Sequence, residues 1–186
     1  MFRFAGVAVV AVTLSALMFA QDSEKNKNLD IRSSVGDLHM GADADAKKVG
    51  VPLYPGARLQ TSEDNNNRAN LSLLTEEFGM KLVVANYASD DAPDKVLNFY
   101  RDKLKKYGKV LECRSAKLGD VSSHDDDKDS NKNKELKCDE NSGPVTELKV
   151  GTDDNQHIVA VEPGEGSKGS KFALIYVHTR GQQGDI

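Results

Sequence analysis

Four kinds of residue in this chain could do chemistry: two cysteines, four histidines, a run of aspartates and a glycine-rich lysine loop. Cys113 and Cys138 each follow a leucine by two positions, in Leu111-Glu112-Cys113 and Leu136-Lys137-Cys138. On a strand that spacing puts each cysteine on its leucine's face. An even pair in an oxidising compartment reads as one structural disulfide. Closing that loop stabilises by about 3.5 kcal/mol in the chain-entropy picture. A redox-active pair would want Cys-x-x-Cys beside a helix start, and the spacing here is far wider.

The histidines are His39, His124, His157 and His178. None stands four residues from another, so the sequence offers no local metal pair. His157 begins one strand-like segment and His178 ends another, close to Tyr176. Antiparallel pairing in a suitable register would bring both to one end of a sheet. Strand-end histidines without a task are the plainer reading, because little else supports a site there. Around His124, the carboxylates of Asp125, Asp127 and Asp129 alternate like the opening of a calcium loop, where a hard cation takes several oxygens from one turn. The likeness then fails. The sixth position is Ser130 where glycine makes the turn, and the twelfth is Leu136 where a bidentate glutamate belongs. A solvated acidic loop with at most millimolar calcium affinity is expected. Residues 164–171, GEGSKGSK, look superficially like a phosphate cradle. A P-loop needs Gly-Lys-Ser/Thr running into a helix; this run ends Gly-Ser-Lys and enters a strand-like segment, so a hairpin loop is expected. No Gly-x-Ser-x-Gly elbow occurs and tryptophan is absent, which weakens a sugar-stacking platform. These patterns assign no catalytic residue, cofactor or metal ligand.

The elements that must position these residues follow from the apolar pattern. Arg3 and the apolar run at residues 4–20 have the parts of a secretory signal peptide. Polar residues from Gln21 end that run short of a spanning helix, and cleavage would leave no membrane span. Residues 21–48 are polar and small without a sustained period, and predict a flexible linker with one weak helical turn near 42–48. Residues 49–180 predict a single α+β domain, interrupted by a disordered acidic loop at about 116–134, with a frayed tail at 181–186. Within it, 51–57 is an extended apolar segment that turns at Pro55-Gly56. Residues 69–75 and 80–88 form a strand pair. A helix then opens with Asp91 as cap, Pro93 in the first turn and Asp94 against the dipole. Val96, Leu97, Tyr100, Leu104 and Tyr107 make its apolar stripe, and Gly108 stops it. Phe99, Tyr100 and Tyr107 belong to the core. Strand-like segments follow at 109–114, 135–139, 146–152, 157–162 and 171–179, with a hairpin turn at 153–156. The fold class expected is α+β: an antiparallel sheet of about five to seven strands with one main amphipathic helix packed on one face.

The VPLYPGA turn at residues 51–57 and the helix Asp91-x-Pro93-x-Lys95-Val96-x-x-Phe99-Tyr100 together resemble a pattern in small exported bacterial proteins of unknown function. The resemblance covers residues 49–114. It implies an envelope or secreted α+β module and carries over no functional residue. The chain's net charge of −4 favours solubility and offers no clustered basic face for nucleic acid. The leading expectation is therefore an exported, non-enzymatic periplasmic or secreted binding module, whose partner is an envelope protein or peptide recruited along a sheet edge or by loops near the disulfide. The alternative is a hydrolase-like enzyme assembled only in three dimensions, with His157, His178, Tyr176 and Asp153 as first candidates. A purely structural envelope protein is a third reading.

Overall fold

The computed structural model describes residues 28–60, 68–118, 135–138 and 141–181. The expected signal peptide, His124, the acid run Asp125–Asp127–Asp129 and all but the first residue of the tail lie outside the described residues.

Nine strands form one antiparallel sheet: β1 (Leu29–Ser33), β2 (Gly36–Gly41), β3 (Arg58–Leu59), β4 (Arg68–Leu74), β5 (Gly79–Ser89), β6 (Leu111–Ser115), β7 (Val145–Thr152), β8 (Asn155–Pro163) and β9 (Ser170–Arg180). The spatial order is β1-β2-β4-β5-β9-β8-β7-β6, with β3 beside β5. Two helices accompany it, the single turn α1 (Ala46–Val49) and the main helix α2 (Pro93–Leu104), which runs on into a 3-10 turn, Lys105–Tyr107. The α+β class holds. The strand count is nine where about five to seven were expected, chiefly because the stretch expected as a flexible linker with one helical turn carries β1 and β2. There Leu29 and Ile31 alternate with Asp30 and Arg32, and Leu38 and Met40 alternate with His39. This is the two-residue period of a strand, and the turn at Ser34-Val35 brings the two runs into register. The segment 135–139 is also corrected: in place of a strand, it holds a lone bridge from Glu135 to Thr152.

Helix α2 forms for the expected reasons, with Pro93 at its start and Val96, Leu97, Tyr100 and Leu104 buried. Its cap is different. The N-cap is Ala92, which makes no side-chain hydrogen bond. Asp91 is occupied elsewhere, accepting from the Tyr54 hydroxyl at 2.8 Å and from Lys95 at 2.8 Å. The stripe packs on one face of the sheet, here the front face, over Phe172 and Leu174 of β9, Val159 and Val161 of β8, and Leu148 and Val150 of β7, and Val83, Ala85 and Tyr87 of β5 continue the same core beside α1. Two buried hydroxyls tie the extended segment and α1 to this core. Tyr100 accepts from the Tyr54 amide at 3.0 Å, and Tyr87 accepts from the Ala46 amide at 3.0 Å. Burial pushes both phenols up, away from ionisation. The rings of Tyr54, Phe99, Tyr100, Tyr87 and Phe172 meet mostly edge-on around them, a geometry that aligns ring edges with ring faces.

The back face carries a second apolar cluster, Val145, Ile158, Ala160, Ala173 and Ile175. Beside it lies a buried polar group: Glu147 accepts from Ser115 Oγ at 2.7 Å and pairs with Lys149 at 3.4 Å. A charge so buried is tolerated only when paired and hydrogen-bonded. The expected disulfide is present. Cys113 on β6 joins Cys138 with Cα atoms 5.5 Å apart, across 25 residues of sequence.

Candidate functional site

Strands β5 and β9 are eleven residues long, and the helices cover only the half of the front face nearer Tyr87 and Phe172. The other half is set by register. Directly opposed residues of an antiparallel pair share a face, and the register places Ser72, Lys81, His178 and Asn155 side by side in one row across β4, β5, β9 and β8. In the next row toward the strand ends stand Leu74, Gly79 and Arg180. A groove of about 280 Å³ opens here, lined by Ser72, Leu74, Gly79, Met80, Lys81, His178 and Arg180. Gly79 supplies its floor: a Cβ there would stand 2.7 Å from Arg180 Nε, so only glycine lets the guanidinium stem lie flat across the strand.

The electrostatics of the groove are one-sided. Lys81 and Arg180 are exposed, and the lining contains no carboxylate. Lys81 Nζ stands 5.6 Å from the centre of the Tyr176 ring, within cation–π range. Arg180 Nη2 donates to the Thr75 carbonyl at 3.2 Å, which fixes the guanidinium near the β4–β5 turn. His178 Nδ1 is shielded from solvent and has no hydrogen-bond partner. A shielded nitrogen left unpaired costs free energy.

A ladder of rings leads from the helix end into the groove. Tyr107 stacks on His157 at 4.0 Å, His157 meets Tyr176 at 4.9 Å, and Tyr176 lies parallel to His178 at 6.4 Å. The Tyr107 hydroxyl donates to the Gly50 carbonyl, which fastens the ladder to the end of α1. Burial holds the His157 imidazole below the ordinary histidine value, the nearby Lys106 ammonium lowers it further, and a hydrogen bond to the Val49 backbone opposes both. Its neutral form is the one this packing favours.

The histidines at strand ends are thus brought to one end of the sheet: His157 pairs with Tyr176, and His178 pairs with Asn155. Asp153 sits exposed in the β7–β8 turn, where its carbonyl accepts from Gln156. Neither His157 nor His178 hydrogen-bonds a carboxylate among the described residues. The loop at 164–171 closes on itself as a hairpin connection. Its amides at Gly164, Ser167 and Lys168 are spent on Gly169, Gly164 and Glu165 carbonyls, so none of these three cradles a phosphate. The disulfide pair Cys113 and Cys138 lies on the far side of the sheet order, at β6.

One constellation had no expectation attached. His39 on β2 holds Asp30 of β1 through Nδ1 at 2.6 Å, while its Nε2 faces Asp43 at 3.5 Å. Asp43 in turn accepts from Asn70 at 3.0 Å and pairs with Lys48. The hydrogen bond to Asp30 raises the His39 imidazole above its usual value, with desolvation opposing and Asp43 adding to the rise. With Asp30 at Nδ1 and Asp43 and the Asn70 amide near Nε2, this histidine acts as a clamp between β1, β2 and the approach to α1. The signal in the sequence was the alternation around Asp30 and His39, together with the i, i+4 spacing of His39 and Asp43.

Comparison with protein-family models, with curated proteins and with solved structures gave no match. Among the described residues, no helix is long and apolar enough to cross a membrane. That and the disulfide are compatible with an extracellular or periplasmic protein.

Proposed function

We propose that this protein is an exported, non-enzymatic binding module that receives an anionic group of an envelope protein or peptide in the groove at the open end of its sheet. The observation that carries the proposal is the convergence of Lys81 and Arg180 beside His178 in one concavity whose lining has no carboxylate. Two fixed cations draw an anion by Coulomb attraction. A guanidinium offers paired donors to a carboxylate or phosphate, and the ring ladder beside it gives a rigid apolar wall. The apolar run at residues 4–20 and the disulfide support export. The alternative, a hydrolase-like enzyme built on His157, His178, Tyr176 and Asp153, has no comparable support. Its imidazoles face rings and a strand partner, and among the described residues no carboxylate hydrogen-bonds either one.

The test is in-cell crosslinking of the tagged protein with a lysine-reactive reagent, followed by mass spectrometry. A reproducible envelope partner joined through Lys81, and lost in an Arg180→Glu variant of unchanged melting temperature that keeps the Lys81 amine, is the expected result. Capture through Lys81 that survives the Arg180 charge reversal would place the ligand surface elsewhere and remove the groove from consideration.

A further inference from the structure

Strand β1 is the first in the sheet order. All five of its residues are exposed, and no described segment pairs with its outer side. Such an edge is a template for another strand, and proteins commonly guard it with charge. The charges on this edge are Asp30 and Arg32, of opposite sign and two residues apart on the front face. An arrangement of that kind repels nothing that carries the same sequence in the opposite direction. From this we infer that β1 pairs with β1 of a second copy of the chain, antiparallel about a two-fold axis at Ile31.

The register follows from the strand itself. A two-fold axis at Ile31 sets Asp30 opposite the second copy's Arg32, Arg32 opposite its Asp30, and Leu29 opposite its Ser33. Within one copy, Asp30 lies opposite His39 and Arg32 opposite Asp37. Across the seam the front-face row therefore reads His39, Asp30, Arg32, Asp37, with Asp30, Arg32 and Asp37 alternating in sign. On the back face Ile31 meets Ile31, flanked by Leu29, and these side chains are 47% and 50% exposed in the single chain. The backbone agrees with this register. Ser33 and Gly36 close the β1–β2 turn, and the ends of such a turn are hydrogen-bonded to each other. Hydrogen-bonded and open pairs alternate along an antiparallel ladder, so Ile31 turns its amide and carbonyl toward β2, whereas Asp30 and Arg32 turn theirs outward. Those are the four groups that two strands centred on Ile31 must exchange. A foreign extended peptide would satisfy the same backbone groups, but it would need the same acid-to-base spacing to match the row. The second copy has that spacing by identity.

The experiment is a set of single cysteine variants, Leu29→Cys, Ile31→Cys and Ser33→Cys, each purified with the native bridge formed and exposed to a mild oxidant. Opposed residues of an open pair have Cα atoms about 4.5 Å apart, inside the range a disulfide spans. The variant at position 31 is therefore expected to crosslink to itself. The variants at 29 and 33 are offset from their own copies by about 13 Å and are expected to crosslink only when mixed with each other. Sedimentation of the unsubstituted protein is expected to show a monomer–dimer equilibrium, and Arg32→Asp is expected to weaken it about tenfold by setting like charges opposite each other. A monomer at every concentration overturns the inference. So does crosslinking of equal yield at 29, 31 and 33, which marks random collision. A monomer that takes up an added extended peptide along β1, seen as new amide protection there, also overturns it, in favour of a foreign strand. None of these outcomes touches the groove on β4, β5 and β9.

Discussion

At the scale of single residues, His39 makes the sharpest claim about pH. Its folded value is raised, first by the hydrogen bond to Asp30. A group with a raised folded value binds its proton more tightly when folded. Its contribution is therefore complete below the unfolded value of about 6.5 and is lost as pH rises through the higher folded one. Asp43 shifts the other way, held low chiefly by Lys48, and its contribution is present above the ordinary carboxylate range. Urea unfolding of the protein and of His39→Gln should differ most in mildly acidic solution, between those two ranges, and converge at alkaline pH. A difference that grew with pH would show that the imidazole is held neutral. Half-buried His157 has the opposite sign, because partial burial lowers its value; its contribution fades as pH falls below the unfolded value. The two histidines thus act against each other in any global pH profile, which is why the single substitution is needed.

At the scale of elements, the helix shows how far sequence reading reaches. Its stripe and its proline start were legible because four buried residues recur at three- and four-residue spacing. Its cap was not. Asp91 has the right type and the right place, but the Tyr54 hydroxyl and Lys95 engage it instead, and the Tyr54 contact exists only once the YPGA turn folds against α2. The N-cap Ala92 is exposed, extended and without a side-chain bond. Ala92→Ser should therefore stabilise the protein by about 0.5–2 kcal/mol, read as a higher urea midpoint with unchanged slope. The β1–β2 hairpin was missed for a different reason. Its alternation is short, and it follows a polar, charged stretch whose composition reads as linker. The two-residue period was present in Leu29-Asp30-Ile31-Arg32, but nothing nearby in the sequence showed which sheet it would join.

At the scale of the whole molecule, the groove is a property of register. His157 and His178 could be placed at one end of a sheet from sequence, given antiparallel pairing. Lys81 and Arg180 could not, because they enter the site only through the pairing of Lys81 with His178 and of Gly79 with Arg180. The disulfide is global in another sense. It joins β6, at the end of the sheet order, to the segment that leads back into β7. Reduction should lower the unfolding free energy by about 3.5 kcal/mol, while the long β5–β9 ladder keeps the sheet's circular dichroism native below the new midpoint. The bridge also gives the covalent chain the topology of a ring with two tails. One arm carries the helix and strands β1 to β6, the other carries β7 to β9, and the acidic stretch lies within the ring itself. A single cut in that stretch opens the ring without parting the arms. The two halves of the sheet thus stay covalently joined through the bridge even when the acidic stretch is nicked.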